Sequence, residues 1–205
     1  MSDKKIYVIR HGETEFNRLG IVQGSGVDSD LNDVGRDQAY KFYKNYNNIN
    51  FQLVVTSTLK RTHQTVHRFI DDSIPWIQNQ HINEICWGDH EGMIPNAERS
   101  AEFNTMLDAW QRSEYDASLP NGESANQLSH RVALFIDWVK ARPEDHILVA
   151  THGRTMRCLI TTMKGLLPSS MDGTPHSNTG LYLIRQHQGN FIFELENNTD
   201  HLSSE

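Results

Sequence analysis

Arg10-His11-Gly12, Arg61 and His152-Gly153 carry side chains suited to chemistry on a phosphoryl group. Two guanidiniums offer forked donors to a dianion, and two imidazoles offer a nucleophile and a further polar contact. Helix N-termini beside them would add backbone N–H groups and the positive end of a dipole. These residues are spread between positions 10 and 152, so only the fold can unite them. Taken singly, a histidine after a strand is an ordinary hydrogen-bonded loop residue; the argument rests on several basic groups at equivalent places.

Three runs rich in β-branched residues, Ile6–Ile9, Leu53–Thr56 and Ile147–Thr151, read as buried strands. The first stops at Arg10-His11, the second leads to Arg61 in the first turn of a helix, and the third stops at His152-Gly153. In open α/β sheets ligands bind at the carboxyl ends of strands, so these ends predict one crevice.

Four helical patterns separate or follow the strands. Ala39, Phe42, Tyr43 and Tyr46 share a face, with Asn32 or Asp33 as the cap; Leu59, Val66 and Ile70 mark a second helix. Leu128, Val132, Phe135 and Val139 line a third, stopped by Pro143, and Met156, Leu159, Ile160 and Met163 a fourth, closed by Gly165. Leu181–Ile184 and Phe191–Leu195 flank Gln-His-Gln-Gly-Asn, the pattern of a hairpin. The alternation predicts a three-layer α/β/α protein with an open, mostly parallel sheet and an antiparallel edge. Residues 86–122 break the rhythm: they hold one helical candidate (Phe103, Leu107, Trp110) and no strand, and read as an insertion over the active-site edge, where a lid would sit.

The chain has 205 residues, which suits a single domain over 1–205. Its net charge of −7 gives no basic face for nucleic acid, and no apolar run reaches the roughly 20 residues of a membrane helix. Two lysines precede the short Ile6–Ile9 run, which meets Arg10 at once and reads as a strand rather than a signal peptide. Cys86 and Cys158 form no disulfide framework and fit a reducing, cytoplasmic setting. His63 and His67 have metal-ligand spacing on a helix, but spacing ties no third ligand to them. Oligomeric state is not legible.

Val8–Asn17 (Val-Ile-Arg-His-Gly-Glu-Thr-Glu-Phe-Asn) resembles the signature of the histidine phosphatase superfamily, also called phosphoglycerate mutase-like. Val22-Gln23-Gly24, Leu31–Gly35, Thr56–Thr65, Asn83–Gly92, Pro120–Ser124 and Thr151-His152-Gly153 continue the resemblance in order along nearly the whole chain. It implies the family's α/β fold, with His11 as the nucleophile that forms a phosphohistidine. It implies that Arg10, Arg61 and His152 hold the phosphoryl group, with Asn17, Gln23 and the backbone at Gly24 and Gly153 around it. Glu84 takes the acid/base role, and neither a metal nor another cofactor is needed. The chemistry is coherent: flanking arginines disfavour the imidazolium of His11, and one carboxyl at Glu84 can serve both half-reactions if burial raises its pKa.

In the superfamily's mutases a longer insertion, with a lysine and paired arginines, holds the substrate's carboxylate and second phosphate. Here Ile85–Leu119 holds seven acids (Asp89, Glu91, Glu98, Glu102, Asp108, Glu114, Asp116) against Arg99 and Arg112, with no lysine. An acidic lid predicts hydrolysis of a small phosphomonoester with a neutral or hydrophilic remainder. The alternatives are a phosphoglycerate mutase-type transfer and a silent binding module that kept the fold. Glu13 and Glu15 read as structural, and Trp87 and Trp110 as packing, with one of the two a candidate for the cleft. Tyr115, Arg99 and Arg112 have no direction fixed by sequence.

Overall fold

The computed structural model describes residues 3–203, so the expected domain ends at 1 and 205 lie outside the described residues. Six strands form one sheet: β1 (Lys4–Arg10), β2 (Leu53–Thr56), β3 (Trp76–Gln78), β4 (His146–Thr151), β5 (Leu181–His187) and β6 (Asn190–Asn198). Their order is β3-β2-β4-β1-β5-β6; the first four run parallel, and β5 and β6 are antiparallel. The helices are α1 (Glu15–Leu19), α2 (Asp33–Tyr46), α3 (Lys60–Asp71), α4 (Ala97–Gln111), α5 (Ala125–Ala141) and α6 (Gly153–Met163).

Strand periodicity sorts the core into two layers. Ile6 and Val8 of β1, with Val55 and Val149, pack against α5 and α6 through Val132, Phe135, Met156 and Leu159. Tyr7 and Ile9, with Val54 and Leu148, pack on the other face against Phe42 of α2 and Val66 and Phe69 of α3. Both faces are covered, as the continuous apolar runs required, and the chain has the α/β architecture the sequence predicts.

The predicted helix ends at Asn32 and Gly165 are in place: Asn32 caps α2 by accepting from Gly35 N–H, and Gly165 turns the chain after α6 in the left-handed region. Ser124 and Gln127, which the sequence reading did not single out as a cap, form a reciprocal capping box on α5. Gln188 and Gly189, both at positive φ, make the β5–β6 turn. Two elements were not expected. β3 is three residues with both ends exposed, and α1 is five residues with none buried, so neither leaves a periodic apolar signature. α1 is instead fixed by a capping box between Thr14 and Asn17. Leu59, expected on the face of α3, is its N-cap.

Residues 86–122 contain α4 and no strand. Trp87, Met106, Trp110 and Leu119 from this stretch join the core on the α5/α6 face. The stretch is also stapled to the loop before α2, because the Glu91 carboxylate accepts from Trp87 N–H at 2.8 Å and Gly26 N–H at 2.7 Å.

Candidate active site

Sheet register explains the convergence. Arg10 lies opposite Thr151, and Thr56 opposite Ala150, so β1, β4 and β2 end side by side. His11 N–H then bonds Thr151 O at 3.0 Å and Ser57 N–H bonds Ala150 O at 3.3 Å, extending the ladder by one step. His11 and His152 each follow a strand end directly, and their rings stand 5.2 Å apart between centroids. The loop after β1 is pressed against the first turn of α2: a Cβ on Gly12 would lie 2.5 Å from Gly35 O, so only glycine fits.

His11 is 3% exposed, and its Nδ1 lies 2.7 Å from Gly12 O. A carbonyl only accepts, so Nδ1 carries the proton and the Nε2 lone pair is free. Burial first, then the positive charges of Arg61 and Arg10, hold the ring's pKa well below the ordinary histidine value. The imidazole is therefore neutral at physiological pH.

His152 has the opposite tautomer. Its Nδ1 accepts from Arg61 Nε at 3.1 Å, so Nε2 donates to Ser57 Oγ at 2.7 Å. Burial and then Arg61 keep its pKa well below the usual range. Arg61, fully buried, also donates to Val27 O and Gly24 O, and burial lowers its pKa. Arg10 gives Nη1 to His176 O at 2.9 Å, and its buried Nε has no partner among the described residues. Desolvation lowers the Arg10 pKa to about 10, which leaves it a cation. A buried guanidinium N–H without a partner beside a neutral histidine is a donor suited to an anion.

Glu84 is 7% exposed, and its two oxygens are unequally engaged. Oε1 accepts from Ile85 N–H and Thr155 N–H, with the Thr155 hydroxyl 3.1 Å away and donating at 2.7 Å to Asn83 O, whereas among the described residues Oε2 accepts only from Arg154 N–H. Glu84 thus does for α6 what a capping side chain does elsewhere, since His152 at the N-cap makes no such bond. Oε2 is the less engaged of the two oxygens.

Arg10, His11, Asn17, Gln23, Glu84 and Gly153 line a single cleft of about 310 Å³. Of the other expected residues, Arg61 and His152 stand behind this lining, and Gly24 gives its carbonyl to Arg61. Asn17 and Gln23 are both oriented by Thr14, whose hydroxyl accepts from the Gln23 amide at 2.7 Å.

The insertion contributes Trp87 and Phe103 to the cleft, and none of its seven acids. Glu91 is spent on the staple, Glu102 on His90 and Glu114 on Arg112. The tally of lid charge therefore describes an outer surface and says nothing of the substrate; the expectation of a neutral remainder loses its basis. Arg154, Arg157 and His176 line the cleft instead, and the sequence reading missed all three. Arg154 and Arg157 sit three apart at the start of α6, directly after His152-Gly153, and that spacing was the available signal. Ser57, Thr65 and Asn178 were also missed. Thr65 accepts from Gly12 N–H, and Asn178 donates to His11 O.

The remaining side chains have plain structural places. His63 lies against Trp76, His67 faces Gln64 O, Glu13 accepts from Asn32, and Glu15 pairs with Arg18 on the surface. Tyr115 hydroxyl bonds Ser169, and Arg99 lines a separate hollow of about 340 Å³ beyond Phe103.

A profile of the histidine phosphatase superfamily, branch 1, matches residues 6–199. The chain belongs to this superfamily. A 2,3-bisphosphoglycerate-dependent phosphoglycerate mutase from Bartonella quintana is 28% identical over 172 residues, covering 80% of this chain and 82% of that protein. Among solved structures, alpha-ribazole phosphatase from Shigella flexneri is 26% identical with a TM-score of 0.83, covering 95% of this chain and 96% of its own. Phosphoserine phosphatase from Entamoeba histolytica, in complex with 3-phosphoglyceric acid, is 25% identical with a TM-score of 0.83, covering 97% of this chain and 99% of its own. Phosphatases and mutases thus both stand among the relatives. No helix among the described residues is long and apolar enough to cross a membrane.

Proposed function

We propose that this member of the superfamily is a phosphomonoesterase that hydrolyses a small phosphorylated metabolite through a phosphohistidine on His11. The observation that carries the reading is the neutral, buried His11 ring, protonated at Nδ1 by its bond to Gly12 O and flanked by two arginines. The phosphoryl dianion occupies the place where the Arg10 Nε donor is unpaired. Arg61 and His152 stabilise it from behind, and Asn17, Gln23 and the backbone near Gly24 and Gly153 complete the cradle.

In the first step the Nε2 lone pair attacks phosphorus, the bond to the leaving oxygen breaks, and Glu84 as a carboxylic acid gives that oxygen its proton. In the second, Glu84 as a carboxylate takes a proton from water, the water oxygen bonds phosphorus, and the P–N bond breaks. Metal assistance has no part in this scheme. Hydrolysis is favoured over transfer between substrate positions because the insertion, which lends the cleft Trp87 and Phe103, supplies it with no cation of its own. Two free thiols, Cys86 and Cys158, fit a reducing compartment such as the cytoplasm.

Acid-quench-sensitive, base-stable labelling of His11 during turnover of an aryl phosphate, abolished with turnover in His11→Ala, tests the scheme. Turnover without a trapped phosphohistidine overturns it. A 3-phosphoglycerate isomerisation stimulated by a bisphosphate primer, and faster than phosphate release, would mark a mutase.

A further inference from the structure

Three bonds from the loop before β5 hold Arg10 and His11. His176 O accepts from Arg10 Nη1 at 2.9 Å, Thr179 N–H donates to Arg10 O at 3.0 Å, and the Asn178 amide donates to His11 O at 2.9 Å. From the β4 side, Thr151 O accepts from His11 N–H at 3.0 Å. The aim of the His11 ring therefore depends on where this loop sits.

The loop is strained at Thr179. A φ of +52° puts this β-branched residue in the left-handed region, which such side chains adopt only when their surroundings impose it. Two bonds impose it here: the N–H to Arg10 O, and the hydroxyl, which lies 3.0 Å from His201 Nε2. Thr179 is fully buried and His201 is 2% exposed, so bulk water does not compete for the second bond. Burial keeps the His201 ring neutral, with a pKa lowered to about 4. Its Nδ1 has no partner among the described residues, so the proton sits on Nε2 and is donated to the Thr179 hydroxyl.

His201 belongs to a short 3-10 turn, Asp200–Leu202, and its ring stands edge-on to two rings of α2, Phe42 at 5.3 Å and Tyr46 at 6.2 Å. Asn197, near the end of β6, adds two ties to the same loop. Its Oδ1 accepts from Ser177 N–H at 2.8 Å, and its amide donates to Ser177 Oγ at 3.0 Å. Neither His201 nor Asn197 lines the cleft.

We propose that His201 is a positioning residue for phosphoryl transfer to His11. It does not meet the substrate; by holding Thr179 in its strained conformation it fixes the loop that aims His11 at phosphorus. The proposal rests on the phosphatase reading and adds to it a residue from beyond the cleft.

The test is single-turnover release of nitrophenol from p-nitrophenyl phosphate with enzyme in excess. At saturating enzyme this rate reports the attack by His11 and does not depend on the fraction of chains that are folded; the half-saturating concentration does. His201→Phe keeps a ring against Phe42 and Tyr46 but cannot bond Thr179. Its rate should fall about 5- to 30-fold, short of the roughly 100-fold that a full 1 Å misplacement costs, with half-saturation within about 2-fold of wild type. Thr179→Val, which keeps the shape and loses the hydroxyl, should show the same fall, and the double variant should be no slower than either single one. His201→Gln, whose amide nitrogen can reach the position of Nε2, should recover most of the rate. A wild-type rate in His201→Phe, a shift confined to half-saturation, multiplying losses in the double variant, or a His201→Gln as slow as His201→Phe overturns the proposal. Failure of the phosphatase reading shows in the wild type itself, which then releases no nitrophenol and acquires no label on His11.

Discussion

Replacing Glu84 with glutamine separates its proposed proton-transfer role from its structural one. Oε1 holds two backbone donors and Oε2 holds one, so the new amide nitrogen is least disruptive on the Oε2 side, facing Arg154 N–H. There two donors meet, one helix-terminal bond is lost, and the cost is about 1–3 kcal/mol of stability. The catalytic cost depends on the leaving group. An alkyl oxygen cannot depart without a proton, so kcat/KM for an alkyl phosphate should fall by about 10²–10⁴. A nitrophenolate leaves unaided, so kcat/KM for the aryl ester should fall by less than about 10-fold. Water attack still lacks its base, so the variant should release about one equivalent of nitrophenol in a burst and accumulate phosphohistidine. Inorganic phosphate should inhibit it no less strongly than the wild type, because removing a carboxylate from a cationic cleft does not weaken anion binding. Rapid-quench kinetics with both esters, read beside a urea melt, measure all of this. Equal losses on alkyl and aryl esters, or full turnover with no burst, would falsify the acid/base role.

Acid sensitivity follows from the buried histidines. His11 and His152 have folded-state pKa values well below the unfolded value of about 6.5, with His201 at about 4 and His176 at about 3. Each is neutral in the fold and takes up a proton on unfolding, so its stability contribution is intact above pH 6.5 and lost as pH falls below it. Between pH 7 and 5 each costs about 2 kcal/mol, and the melting temperature should drop by more than about 10 °C; a flat profile over that window contradicts the buried, neutral rings. Gly24→Ala places a Cβ 1.8 Å from Glu91 Oε1 and 2.6 Å from Ile85 O, so it should release the Glu91 staple, lower stability by about 1–3 kcal/mol and raise KM. Ser57→Ala removes the acceptor of His152 Nε2–H and should cost about 1–3 kcal/mol in chemical denaturation, with a fall in kcat; an unchanged denaturation midpoint would show that a water replaces the hydroxyl.

The sheet and its four large helices were legible because both faces of the central strands are covered, which leaves unbroken runs such as Leu53–Thr56 and Ile147–Thr151. β3 and α1 were hidden for the converse reason: their side chains are mostly solvent-facing, and pairing or capping defines them rather than burial. Arg10, His11, Asn17, Gln23, Glu84 and Gly153, which the sequence reading grouped, line one cleft because the motifs that carry them lie at or follow the ends of β1, β3 and β4 within a short stretch of chain. Arg154, Arg157 and His176 were lost because α6 was read for its apolar stripe, and the loop before β5 was read for nothing. Which side of the insertion carries its acids was beyond sequence, since charge counts carry no direction. Only coordinates show Glu91 turned toward backbone amides and Trp87 toward the cleft.

β1 has consequences for how the enzyme is made. It precedes the other five strands of the sheet along the chain, yet both its neighbours, β4 and β5, lie beyond residue 145, and Thr179 N–H and the Asn178 amide later clasp Arg10 O and His11 O. At ordinary translation speeds of about 5–20 residues per second, that strand waits roughly seven to thirty seconds with both hydrogen-bonding edges open. Nascent chains stopped before β5 therefore hold His11 at the end of a strand with an unpaired edge. During that interval Ile6–Ile9 is an adhesive segment that needs shelter from other chains.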